Sequence, residues 1–154
     1  MKRRYFYIAG AGLFLGGFYL GGKCLVSIIN EQKTRADRNS ANMYLFSDWL
    51  AFLYSGGHIE EYFHKKGFQK IMIYGNGFIG ARLVQALQKT DVEIVAVMDK
   101  AACSGVDGVI GTDSDIPDSD CIIVTPVFYY EEIYDMLKER TNIPIVSIGD
   151  VWKE

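Results

Sequence analysis

Residues 70–80, KIMIYGNGFIG, constrain the fold more than any other stretch of this chain. The apolar run Ile71, Met72, Ile73, Tyr74 has the length and composition of a short strand. It leads directly into Gly75-Asn76-Gly77-Phe78-Ile79-Gly80, a complete G-x-G-x-x-G. The following ARLVQALQKT repeats Leu83, Val84 and Leu87 at helical spacing, with Arg82, Gln85 and Gln88 between them. Each glycine has its own task in such a strand–turn–helix. Gly75 permits the tight turn, Gly77 lets the backbone approach a pyrophosphate, and Gly80 lets the helix pack closely on the strand. The helix N-terminus then offers unbonded N–H groups to an anion. A second apolar run, residues 92–98, ends in Asp99, where a carboxylate would hold a ribose diol. These features together predict a nucleotide-binding turn; a strand–turn–helix with incidental glycines is the competing reading.

The remainder of the chain extends this unit. Residues 100–108 read as a loop, Val109-Ile110 as a short strand, and residues 113–120 as an acidic turn segment containing Pro117. Cys121 to Val124 form an apolar strand leading into Thr125-Pro126. Residues 130–140 read as a helix with Ile133, Tyr134 and Leu137 inward, and Pro144 opens a last strand at residues 145–148. Strands alternating with helices predict an α/β, Rossmann-like, doubly wound parallel sheet of about five strands in the order 3-2-1-4-5. Its binding site would lie at the carboxyl ends of strands one and four. Residues 75–80, Asp99-Lys100 and Thr125-Pro126 would bound it.

The first 67 residues are of a different kind. Lys2-Arg3-Arg4 precede residues 5–22, a stretch with no charged side chain. At about 1.5 Å per residue such a helix spans roughly 27 Å, close to the hydrocarbon thickness of a bilayer. Tyr5, Phe6 and Tyr7 at one end, and Phe18 and Tyr19 at the other, suit interfacial belts. Gly12/Gly16 and Gly17/Gly21 have the spacing that lets a second membrane helix approach, so a homodimer is one expectation. A cleaved signal peptide would need an A-x-A-like site, which is lacking, and Lys23 argues against lipidation at Cys24. A helix buried in a protein core is the rival of the anchor. The expected layout is an anchor at 1–29, a polar linker at 30–42, a helical segment at 43–67 and the nucleotide domain at 68–154. In the helical segment, Leu45, Trp49, Phe52 and Leu53 form one stripe, and Ile59, Tyr62 and Phe63 another ending at Gly67.

Charge divides at the same place. Residues 1–66 carry nine Lys/Arg against five Asp/Glu, whereas residues 67–154 carry seven against fourteen. An acidic domain without clustered Lys and Arg argues against a nucleic-acid partner. The flanks of the apolar stretch are both basic and do not fix its orientation. The main domain is expected on the cytoplasmic side of the cell membrane, where nucleotides and free thiols belong. Cys24, Cys103 and Cys121 have no C-x-x-C spacing, which fits a reducing compartment.

From residue 68 to residue 150 the segments IYGNGFIG, VAVMDK, IIVTPVFYYEEI and IPIVSIGD resemble a short Rossmann module of bacterial surface-polysaccharide pathways. They are similar to the cofactor-binding module beside nucleoside-diphosphate-sugar dehydratases and epimerases. They are similar also to the N-terminal nucleotide-sugar module of sugar O-acetyltransferases. The resemblance covers about half the chain, and it implies contacts to NAD or a nucleotide-sugar from Gly75, Gly77, Gly80 and Asp99, with Thr125 lining the pocket. It implies a glycan-biosynthesis enzyme as a partner; neither the dehydratase catalytic domain nor the acetyltransferase repeat domain lies within these residues.

Catalytic chemistry is harder to find. Related sugar-nucleotide enzymes use a Tyr-x-x-x-Lys pair for proton transfer. Tyr134 and Lys138 have that spacing, but Tyr134 falls at a core-facing position; Tyr62 and Lys66 have it too, but precede the nucleotide turn. His58 and His64 lack metal-pair spacing. Asp113, Asp115, Asp118 and Asp120 read as a solvated turn and Cys103 as a loop thiol. No catalytic residue and no metal site is assigned. The leading expectation is a membrane-anchored binding module for a nucleotide or nucleotide-sugar. Its rivals are a minimal NAD-dependent oxidoreductase or epimerase completed by a partner, and a ligand-free scaffold.

Overall fold

The computed structural model describes residues 2–102 and 108–153, with side chains from residue 25 onward. The chain divides into two compact units, Met1–Ser40 and Ala41–Glu154. Helix α1, Lys2–Tyr54, runs through the boundary. The residues expected to form a polar linker, 30–42, are therefore helical, and the stripe at 43–54 is the end of a long helix rather than a short one of its own. The reason is local. Glu31, Gln32, Lys33, Arg35, Ala36 and Arg38 all favour helix, Arg35 pairs with Glu31 one turn back, and Thr34 Oγ1 donates to the Asn30 carbonyl. A missing apolar period removes a packing partner but does not break a helix, and residues 31–40 are exposed throughout. The expected anchor, residues 5–22, lies outside the residues whose side chains are described. Among the described residues, no helix is long and apolar enough to cross a membrane.

The second unit holds a five-stranded sheet, all parallel, formed by β1 (Lys70–Tyr74), β2 (Glu93–Asp99), β3 (Val109–Gly111), β4 (Cys121–Val124) and β5 (Ile145–Ser147). The order is β3-β2-β1-β4-β5, as expected and consistent with a Rossmann-like fold. The central pair β1 and β4 read as unbroken apolar runs because both faces of the sheet are covered. Alternate residues go to opposite sides. Ile71, Ile73, Val97, Cys121 and Ile123 pack on one face with Leu83 and Leu87 of α3 (Phe78–Leu87), Phe63 of α2 (Ile59–Lys66), and Leu45 and Trp49 of α1. Met72, Tyr74, Ala96, Met98, Ile122 and Val124 pack on the other against Ile133 and Leu137 of α4 (Tyr130–Lys138).

The C-terminal tail closes the first face. Trp152 stacks on Trp49 with ring centroids 5.3 Å apart and planes 12° from parallel, beside buried Ile148 and Val151. The α2 helix ends at Gly67, whose φ of 73° gives the left-handed C-cap that glycine adopts without strain. At the amino end of the sheet the Asp120 carboxylate accepts from Gln69 N and Lys70 N at 2.7 and 2.8 Å, joining the start of β1 to the start of β4. An aspartate expected in a solvated turn is thus a connection between strands.

Candidate functional site

Because β2 and β4 flank β1, the chain leaves β1 toward one side and later returns to its other side. This reversal opens a crevice at the carboxyl ends of the strands. The G-x-G-x-x-G turn sits there. Gly75 has φ of 101°, which residues with an L side chain rarely adopt, and a side chain on it would press on Thr125 Oγ1 and the Pro126 ring. Gly80 is the close-packing position: any Cβ there would run into the Gly75 carbonyl. Gly77 is different, because a Cβ on it would meet nothing within 4 Å. It caps α3 with no side-chain hydrogen bond, and Asn76, Gly77 and Phe78 are exposed. The first-turn N–H groups of α3 have no intrahelical acceptor.

Asp99 ends β2 next to that turn, as expected, but its carboxylate is engaged. One oxygen accepts from Asn76 N within the glycine turn; the other accepts from Ala101 N at 2.7 Å. Thr125, expected to line the pocket, is buried, and its hydroxyl lies within hydrogen-bond distance of the Gly75 and Tyr74 carbonyls, as donor, at 3.0 and 3.2 Å, so it supports the turn from beneath. Ile79 and Gly80 are likewise buried under the turn. Phe78 stands on the rim, 62% exposed, with the Arg82 guanidinium 5.3 Å above its ring and Phe46 edge-on at 5.8 Å.

A cleft of about 370 Å³ opens beside Asp99, lined by Tyr74, Gly75, Asp99, Lys100, Pro126, Tyr129, Glu132 and Ile133. Gly75, Asp99, Lys100 and Pro126 were legible from the sequence. Tyr74, Tyr129, Glu132 and Ile133 were not, since Tyr74 read only as a strand residue, Glu132 and Ile133 as part of a helix, and Tyr129 as the residue before it. Tyr74 is 3% exposed, and its hydroxyl has no hydrogen-bond partner among the described residues. Burial first, then the Asp99 and Glu132 carboxylates, hold its pKa above the ordinary phenol value, so it is a neutral O–H donor at neutral pH.

The remaining chemical candidates lie elsewhere. Tyr134 packs its ring 5.9 Å from Tyr130 and does not line the cleft; Lys138 is exposed. His64 Nε2 is 2.8 Å from Asp91 Oδ1, and the Lys66 ammonium lies over the Tyr62 ring. Cys121 is buried in the sheet, which pushes its thiol up to about 12; Cys103 and the Cys24 side chain lie outside the described residues. Among the described residues, no group of three or more His, Cys, Asp or Glu could hold a metal ion. No family model, curated protein or solved structure matches the chain.

Proposed function

We propose that the second unit binds a nucleotide or nucleotide-sugar carrying a free ribose diol, NAD being one such ligand. The observation that carries this reading is the meeting of Asp99, the glycine turn and an adjacent cleft at the reversal point of the sheet. An open Gly77 would admit the phosphates while Asp99 holds the hydroxyls. With the uncharged residues 5–22 as a membrane anchor, the protein is an accessory module at the cytoplasmic face of the cell membrane. The sequence resemblance favours surface-glycan assembly as its setting. A second reading, a ligand-free scaffold, is favoured by one observation: the Asp99 carboxylate already has two backbone donors.

Thermal unfolding of the full chain in detergent with NAD, NADP and UDP-glucose separates these readings. A ligand at about 100 times its Kd adds about 2.7 kcal/mol, which raises the midpoint by several degrees. No shift with any of the three at millimolar concentration would favour the scaffold. Extraction of the full chain from membranes by alkali would count against the anchor.

A further inference from the structure

In the second unit α1 has two apolar stripes, and the sheet covers only one of them. Leu45 and Trp49 are buried in the core. Met43, Phe46, Leu50 and Leu53 are exposed, and they follow one another at steps of three, four and three residues. Phe78 of α3, also exposed and edge-on to Phe46, widens this face. The sequence continues the alternation of three and four upstream, through Asn39, Ala36, Gln32, Ile29 and Leu25, which are all exposed. Four heptads of this kind are the pattern of a coiled-coil seam. The charges respect it: Glu31, Lys33, Arg35, Asp37, Arg38 and Asp48 all fall off these positions.

The two amides on the seam decide what covers it. A hydrocarbon layer would leave the Gln32 and Asn39 side chains without partners. An amide has both donors and an acceptor, so it can pair with a copy of itself. We propose that a second copy of this chain covers the seam, its α1 parallel to the first and in register with it. Gln32 then meets Gln32, Asn39 meets Asn39, and each apolar position opposes its own copy across a two-fold axis. An antiparallel pair centred on Ala36 also brings Gln32 to Asn39, but it opposes Leu50 and Leu53 to residues before Leu25 and leaves the seam half matched. This inference stands apart from the nucleotide reading, since it needs neither a ligand nor the cleft.

The test is the mass of the full chain in detergent by light scattering over a dilution series, for the wild type, Met43→Glu and Tyr44→Glu. The two substitutions are matched: the residues are 75% and 74% exposed, yet they stand about 100° apart around the helix. Wild type should be a dimer. Met43→Glu sets two carboxylates against each other on the seam and should weaken the dimer about a hundredfold or more, whereas Tyr44→Glu should leave it nearly unchanged. In a chain carrying Cys24→Ser and Cys103→Ser, oxidation of Ile29→Cys and of Met43→Cys should each link two copies, and Tyr44→Cys should not. A monomeric wild type would overturn the pairing and leave the face to another protein or a lipid surface. A dimer untouched by Met43→Glu would place the contact elsewhere, for example at the Gly12/Gly16 spacing, and would also overturn it. So would equal losses in the two Glu variants, which mark general apolar association rather than a seam. Linking at only one of positions 29 and 43 would overturn the parallel register.

Discussion

The two ends of the sheet carry the same device in different settings. At the amino end, Asp120 accepts from two backbone N–H groups, Gln69 and Lys70. At the carboxyl end, Asp99 also accepts from two backbone N–H groups, Asn76 and Ala101, but with one on each oxygen, whereas both donors to Asp120 fall on a single oxygen. Asp120 joins the starts of β1 and β4, so its bonds complete the fold. Asp99 borders a cleft, and one of its donors belongs to the turn that an anion would approach. On the proposed reading a ligand would exchange these bonds: ribose hydroxyls would replace the N–H groups at the carboxylate, and a phosphate would replace the carboxylate at Asn76 N. Similar backbone-to-carboxylate bonds thus complete the fold at one end and, on the proposed reading, would serve recognition at the other. The surroundings, not the residue, make the difference.

Substitutions at each end sharpen this contrast. The largest effect on stability is expected at Gly80, whose Cβ would run into the Gly75 carbonyl. Because a backbone atom cannot move aside as a side-chain tip can, Gly80→Val should cost about 3 kcal/mol in denaturant unfolding, the upper range for overpacking. A near-neutral result would mean that the turn is not held against α3 as described.

Asp120 comes next. Hydrogen bonds from Lys70 N, then Gln69 N, hold its carboxyl below the ordinary carboxylate range. A depressed folded pKa contributes stability above the unfolded value, near about 3.9. That contribution is lost as pH falls through the folded value. Asp120→Asn should therefore unfold earlier than wild type at pH 6, with the gap closing toward pH 3 and nucleotide affinity unaffected. A gap independent of pH would show that the charge of Asp120 is irrelevant to its role. Asp91, lowered by its hydrogen bond to His64, titrates in both proteins and cancels from the difference.

The smallest effect on stability is expected at Gly77. A Cβ there meets open space and φ is −73°, so Gly77→Ala should stay within about 0.5 kcal/mol of wild type. Yet the methyl group stands where phosphates would approach, so nucleotide affinity should fall tenfold or more. Unchanged affinity would move the phosphates away from this turn.

The sequence made the strand order, the glycine turn, α3 and Asp99 legible because their signals are local: apolar runs, glycine spacing, and an acid at a strand end. It left the cleft half-seen. Tyr74 sits in an apolar run that looks the same whether its hydroxyl is bonded or orphaned. Tyr129 and Glu132 become neighbours of Tyr74 only when α4 folds onto the second face of the sheet. Asp120 looked like one of four solvated acids, since nothing in its flanking residues shows that Gln69 and Lys70 will arrive beside it. Residues 30–42 looked like a linker because a helix exposed on all sides has no apolar periodicity to read.

The exchangeability of the Asp99 bonds is the central claim, and titration of Asp99→Ala tests it most directly. A carboxylate that accepts from a ribose diol repels a 2′-phosphate. A hydrogen bond to a charged group contributes about 1.5–3 kcal/mol. The substitution should then weaken NAD tenfold or more, while NADP loses less or gains. Lys100, on the same cleft, partly offsets the repulsion and narrows the gap without reversing it. Equal losses for the two dinucleotides, accompanied by a lower unfolding midpoint, would contradict the account: Asp99 would then be a second Asp120, bonded to its own backbone and nothing more.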